Sequence, residues 1–273
     1  MPIQHNKESF IKSTIVRMDD SSTVSTESDH IAVEDPLEIR LGNNPFVVTM
    51  RTPGHDDELA AGFLVSEGIV KERSDIKEIS RCPTSPTPEN TVRIDLRDGR
   101  KTEGIKSNRV GAIAASCGVC GKTSVESVQG QFPPIQSKIA IDRNLLLKMP
   151  DRLRESQDIF DKTGGLHSAG IFDLEGNLIC LREDVGRHNA LDKVIGYAFI
   201  NNLLPLDKHV LVVSGRVAFE IMQKALAAQI AVVAAISAPS SLAVSFALTS
   251  GQTLVGFLRQ PRFNVYSHPQ RIE

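Results

Sequence analysis

Long apolar runs, an excess of one charge and a second cysteine pair are all missing from this chain, and each absence narrows what the protein does. No stretch approaches the roughly 20 apolar residues that a helix needs to cross a bilayer. The longest candidate, Ile230 to Ile236, has the length of a buried strand. Lys and Arg number 31 against 33 Asp and Glu, a formal net charge of −2. No overall basic field therefore suits the chain to nucleic acid or to an anionic membrane surface. The opening Met1-Pro2-Ile3-Gln4-His5-Asn6-Lys7 lacks the basic-then-apolar order of an export signal. Only four cysteines occur, scattered along the chain, and without an export signal they point to a reducing cytoplasm rather than to disulfide stapling. No internal repeat or low-complexity segment is found. What remains, 41% hydrophobic and 23% charged, is an ordinary globular composition. Its 273 residues suffice for one sizeable core or two modest ones.

The most informative stretch is Ser116-Cys117-Gly118-Val119-Cys120-Gly121-Lys122, where two cysteines stand one turn apart among small residues. Paired thiols at this spacing do redox chemistry, bind metal or carry sulfur. A thioredoxin-type pair sits at a strand-to-helix junction of a βαβ unit, and no such unit surrounds this one. A structural zinc needs four ligands, and Cys82, Cys180 or His167 would have to complete the set at irregular spacings. A carrier needs an accessible thiolate on a mobile loop. Gly118 and Gly121 supply the freedom, and Lys122 is a local charge that favours thiolate. These residues alone leave the three uses open, with carrier or redox use ahead of metal.

Around this pair the chain divides into three sections. Residues 1–30 are rich in Ser, Thr and Asp, with little periodicity, and read as a flexible tail. Residues 31–135 read as a small α+β domain ending in the CxxC loop. Strands are expected at 37–41, 46–50, 76–80 and 91–96, and a helix starts near Thr52-Pro53-Gly54-His55-Asp56-Asp57-Glu58, with acids in its first turn. A linker is expected at 129–136, where Pro133-Pro134 stand. Residues 136–273 alternate helices with nearly continuous apolar strands, as a parallel sheet covered on both faces requires. The expected order is an amphipathic helix over 142–160 that breaks at Pro150, a hairpin of 167–172 with 178–181, and a helix over 184–201. Strands at 209–213, 230–237 and 253–259 then alternate with helices at 217–229 and 240–250.

Ligands of such sheets collect where strands end and helices begin. Those junctions are Ser214-Gly215-Arg216, Ser237-Ala238-Pro239-Ser240-Ser241 and Phe257-Leu258-Arg259-Gln260-Pro261-Arg262. Small residues, hydroxyls and helix amides at the first two suit phosphate. Arg216, Arg259 and Arg262 add forked donors for a pyrophosphate. The bland alternative is that Ser and Pro cap helices while the arginines are solvated. Glu183-Asp184-Val185-Gly186-Arg187-His188-Asn189 reads as capping plus a surface charge network, ahead of a metal site or proton relay on the face shared by Asp184, His188 and Asp192. Thr163-Gly164-Gly165-Leu166-His167 brings backbone close to a ligand or ends a helix. Cys180, within an apolar strand, reads as a small buried hydrophobe.

Taken together, Cys117-Gly-Val-Cys-Gly121, Thr163-Gly-Gly-Leu-His167, Glu183-Asp-Val-Gly-Arg-His188, Val213-Ser-Gly-Arg216 and the tail Val265-Tyr-Ser-His-Pro269 resemble the FdhD family, in order and over nearly everything after the first section. That resemblance implies a sulfur carrier required for formate dehydrogenase. Its members accept sulfur from a cysteine desulfurase and pass it to the Mo-bis(molybdopterin guanine dinucleotide) cofactor before the cofactor enters the dehydrogenase. It places the persulfide on Cys117 with Cys120 as helper, and cofactor binding on Phe257, Leu258, Arg259, Gln260, Pro261 and Arg262. It implies a homodimer and no tightly bound metal of the protein's own. Leu166 stands where some members have a further cysteine. The implied fold is α/β, with a cytidine-deaminase-like three-layer domain over 136–273. Deaminases hold zinc through H-x-E and P-C-x-x-C, but the matching positions here, Glu183-Asp184-Val185 and Ser214-Gly215-Arg216-Val217, offer no cysteine, so deamination is not expected. The competing function is a zinc-stabilised chaperone of the cofactor or dehydrogenase that performs no chemistry.

Overall fold

The computed structural model describes residues 8–20, 24–97 and 132–273. Cys117, Cys120 and the rest of the CxxC segment lie outside the described residues.

Three sheets are present among the described residues. The first is a hairpin of β1 (Phe10–Met18) and β2 (Val24–Ala32), paired from Phe10↔Ala32 to Met18↔Val24. Over 10–18 and 24–30, strands stand where a flexible tail was expected. A two-stranded hairpin is marginal alone, and this one is tied at its base. Ser9 Oγ donates to Pro53 O at 3.0 Å, Phe10 meets His30 edge-on, and the Lys162 ammonium lies over the Phe10 ring. None of these contacts is local in sequence, so composition did not reveal them.

The second sheet has the order β4-β3-β6-β5, from β3 (Asp35–Leu41), β4 (Asn44–Arg51), β5 (Ile76–Arg81) and β6 (Thr91–Leu96). Alternate residues of β3 are buried, as one covered face demands. Helix α1 (Asp56–Ser66) carries Asp56, Asp57 and Glu58 in its first turn, where they complement the helix dipole. Leu59, Ala60, Ala61, Leu64 and Val65 are all buried. A helix apolar on all sides belongs between layers rather than on a surface.

The third sheet is six-stranded, in the order β12-β11-β10-β9-β7-β8. Its strands are β7 (His167–Phe172), β8 (Leu178–Asp184), β9 (Val210–Val213), β10 (Val232–Ala235), β11 (Thr253–Arg259) and β12 (Arg262–Ser267). Only β9, β10 and β11 run parallel; β7, β8 and β12 pair antiparallel with their neighbours. Helices α4 (Arg187–Ile200), α5 (Phe219–Ala227) and α6 (Ser241–Ser250) alternate with the parallel strands, and right-handed crossovers place α5 and α6 on one face. Helix α2 (Arg143–Glu155) packs on the other face, its Leu153 against Gly170. The element order is the one expected for residues 136–273, extended by β12.

The helix expected to break at Pro150 runs through it; Pro150 is buried inside α2. The break falls at Ser156–Gln157, and a separate α3 (Asp158–Thr163) follows. Glu183 decides this. Its carboxylate accepts the amides of Ile159 at 3.0 Å and Phe160 at 2.8 Å, capping α3 from a distant strand.

Helices α1 and α4 cross at backbone contact. A Cβ on Gly62 would lie 1.8 Å from Asp192 O, and one on Gly196 1.8 Å from Glu58 O. Only glycine at both positions permits this approach, and it joins the second sheet's layer to the third's in a single apolar core.

Candidate functional site

Because β9, β10 and β11 run parallel, their ends share one edge of the sheet. Antiparallel β7 begins there and β8 ends there, with His167 opposite Asp184. The junction loops are laced together by backbone bonds. Ser214 N donates to Ser168 O at 3.0 Å, Ile236 N to Val213 O at 3.0 Å and Phe257 N to Ser237 O at 3.0 Å. The three expected ligand-binding junctions therefore do meet on one edge.

At the β11–β12 turn, Phe257, Arg259, Gln260, Pro261 and Arg262 are exposed, while the Leu258 side chain points into the core. The Gln260–Pro261 bond is cis, and Gln260 Nε2 donates to Asp151 Oδ2 at 3.2 Å. Phe257 has φ +53°, a left-handed conformation that costs a bulky residue about 1–3 kcal/mol and concentrates at functional positions. Among the described residues no carboxylate pairs with Arg216, Arg259 or Arg262.

Three strands from β11, at the start of β7, His167 is half-buried beside the loop after β9. Gly215 makes room for it: a Cβ there would stand 3.2 Å from His167 Nδ1. Burial holds this imidazole below the ordinary histidine range, helped by the Arg187 and Arg216 cations and opposed by Asp184. It is therefore neutral at pH 7 and able both to donate and to accept.

The Glu183–Asn189 segment resolves into structural roles. Asp184 is fully buried and meets Lys193 Nζ at 2.7 Å. It also accepts Gly186 N at 2.8 Å, Asn189 Nδ2 at 3.0 Å and Thr52 N at 3.2 Å. Lys193 in turn donates to Thr52 O at 2.9 Å and Glu183 O at 3.3 Å. The charge network expected on the surface is therefore buried, and the capping is done by Glu183 on α3. Arg187 differs. It opens α4 with no acidic residue in the first turn, and its Nε is buried without a hydrogen-bond partner. Its role was not read from the sequence, although a cation in a helix's first turn is itself an irregularity.

Cys180 lies within β8, and burial pushes its thiol up to about 12, so it behaves as the small hydrophobe expected. Cys82 is buried too; a hydrogen bond with Thr84 lowers its thiol, against the effect of burial. Among the described residues no three His, Cys, Asp or Glu side chains gather as a metal site, and no helix is long and apolar enough to cross a membrane. Phe132, the first described residue after the CxxC segment, lines a cleft of about 450 Å³ with Val65, Val70, Leu204 and Ala228. Leu204 precedes β9 and Ala228 precedes β10, so this cleft lies at the sheet edge opposite the strand ends.

Comparison with known proteins gives a consistent result. The FdhD/NarQ family model matches residues 32–273, everything from the end of β2 onward. A Mycobacterium bovis protein named sulfur carrier protein FdhD is 46% identical over 266 residues, covering 94% of this chain and 96% of the relative. A Streptomyces coelicolor protein of the same name is 46% identical over 269 residues, covering 94% of each. One from Picrophilus torridus is 42% identical over 250 residues, covering 90% of this chain and 92% of the relative. A crystal structure from Desulfotalea psychrophila, provisionally described as a formate dehydrogenase accessory protein, superposes with a TM-score of 0.78 at 24% identity. It covers 97% of this chain and 100% of that one, and it supports the α/β fold.

Proposed function

The chain belongs to the FdhD/NarQ family, and from that premise we propose that it carries sulfur for a formate dehydrogenase. In this reading a cytoplasmic cysteine desulfurase hands its sulfane sulfur to Cys117. The Cys117 thiolate attacks the terminal sulfur of the desulfurase persulfide, forms a new S–S bond and releases the desulfurase thiolate. The recipient of that sulfur is the molybdenum of a bis-molybdopterin guanine dinucleotide, which this protein handles as substrate before it enters the dehydrogenase. Discharge uses Cys120. Its thiolate attacks the Cys117 sulfur, hydrosulfide leaves toward the metal, and a Cys117–Cys120 disulfide remains for a cellular dithiol to reduce. The protein works as a homodimer.

The observation that supports this reading is the β11–β12 turn. Arg259 and Arg262 present exposed guanidinium groups with no carboxylate partner, and Phe257 exposes its ring from a strained backbone. An aromatic face beside two forked cations suits a purine and its diphosphate. Glu183 and Asp184, at the positions where a deaminase keeps its zinc-site residues, are already held by α3 amides and by Lys193.

The test is intact-mass measurement after incubation with a cysteine desulfurase and cysteine. The wild type should gain one sulfur that Cys117→Ala does not; a gain at this motif in Cys117→Ala would overturn the assignment. Stoichiometric zinc lost on replacing Cys117 or Cys120 would favour the non-catalytic chaperone instead.

A further inference from the structure

Helix α4 opens with Arg187 and His188. A cation at that end faces the positive pole of the helix dipole and is disfavoured there. Arg216, exposed in the loop between β9 and α5, adds a second cation two residues before Ala218, the N-cap of α5. The charged groups acting on His167 are these two arginines, from α4 and from the loop after β9, and Asp184 at the end of β8. Asp184 is already committed to Lys193 at 2.7 Å, so nothing neutralises the arginines.

The groups converge on Gly215. A Cβ at that position would lie 3.2 Å from His167 Nδ1 and 3.6 Å from Arg187 Cβ. Glycine lets the loop pass close to the His167 ring without displacing it. The Arg187 Nε is left buried without a partner, an omission that costs about 1–3 kcal/mol when nothing fills it. Placement against the dipole, uncompensated positive charge and an orphaned donor coincide at one spot, and such coincident departures from local rules mark functional positions.

We propose that His167, Arg187 and Arg216, gathered around Gly215, form a diphosphate-binding subsite at the ends of β7 and β9. Arginine forks grip phosphate oxygens two at a time, and the imidazole adds a further donor. The subsite is distinct from the β11–β12 turn. Strand β10 intervenes, and β11 runs on from Val255, opposite Ala234, to Arg259 before it turns, so the turn is separated from the subsite both across the sheet and along the strand. For its natural ligand the inference rests on the function proposed above. A bis-dinucleotide carries one diphosphate in each half, and two subsites on one edge give each half its own anchor.

Titration calorimetry of the full chain with inorganic pyrophosphate tests the subsite directly. The wild type should bind, and Arg187→Gln/Arg216→Gln should weaken binding by at least about tenfold, or 1.4 kcal/mol. Arg216→Gln alone, at an exposed position that folding does not need, should show a substantial part of that loss. Arg259→Gln/Arg262→Gln, which lacks the diphosphate contacts of the β11–β12 turn, should weaken GDP yet still bind pyrophosphate, and adding Arg187→Gln/Arg216→Gln to it should lower that remaining affinity at least about tenfold. No pyrophosphate binding by the wild type, or wild-type affinity in Arg187→Gln/Arg216→Gln, overturns the subsite. GDP binding left unchanged by Arg259→Gln/Arg262→Gln instead removes the β11–β12 turn from the guanine site. The two readings therefore fail separately.

Discussion

Asp184 meets Lys193 at 2.7 Å in a fully buried pair, while Arg187, one helical turn along the chain, meets no carboxylate among the described residues. The contrast extends to whole regions. Along the seam of α1 and α4, charges close on each other. Arg51 grips Asp56 at 2.9 and 3.0 Å, and Arg81 joins them at 3.1 Å. Arg182 holds Glu58 at 2.5 and 2.8 Å while its guanidinium stacks on Tyr197. Lys224 reaches both oxygens of Asp192, at 2.9 and 2.7 Å. At the strand-end edge Arg187, Arg216, Arg259 and Arg262 have no such partner. Charges that serve the fold are neutralised within it; those held open are available to a ligand.

The strongest way to break this contrast is to open a closed pair. Lys193→Met leaves Asp184 buried and uncompensated, and should cost about 3–5 kcal/mol. Urea titration followed by circular dichroism would read this as a lowered midpoint at unchanged slope. A loss below 1 kcal/mol would mean that the pair is not holding the seam.

Acid should weaken the seam more gradually. Burial alone would raise the Asp56 and Glu58 carboxyls, but hydrogen bonds and charge from Arg51 and Arg182 hold both below their ordinary values. A depressed carboxylate contributes stability that is complete above its unfolded pKa, roughly 4, and is lost as pH falls through the folded value. Asp57 and Glu183, which burial shifts upward, work in the opposite sense and blunt the loss. As pH falls from 7, protonation of these groups and of the buried Asp192, also shifted upward, should hold or raise stability, which then declines below about 4 as Asp56 and Glu58 protonate. Asp56→Asn should show a shallower decline from a lower starting point.

The smallest effect is expected at the open edge. Arg216→Gln should change folding stability by no more than about 0.5 kcal/mol, since it is exposed and breaks no pair, although it weakens pyrophosphate binding. A larger destabilisation would make Arg216 part of the scaffold and erase the distinction between the two regions.

Much of the architecture was legible beforehand. Strands β6, β7 and β11 coincide with the spans expected at 91–96, 167–172 and 253–259, the first by its apolar–polar alternation and the others by their apolar content. The helices between them follow the same logic, within a residue or two at most ends. What failed to show were elements that depend on distant partners. The β1–β2 hairpin is anchored by Pro53 and Lys162, β12 pairs only once β11 is in place, and α3 begins where Glu183 caps it. Helix α2 continues through Pro150, which is buried inside it. At the edge, the three junctions and Arg216, Arg259 and Arg262 were visible as strand-end residues, whereas the roles of His167 and Arg187 were not.

The order of strands and helices in the second half, the cysteine pair as a candidate carrier and the row of arginines at strand ends can all be read from the residues alone. Those follow from periodicity and composition, which act over one or two turns. Only the tertiary structure decided which charges are closed and which remain open. Glu58 finds Arg182 and Asp184 finds Thr52 across more than a hundred residues, and pairing at such separations is set by how α1 docks on α4 through two glycines, not by any local pattern.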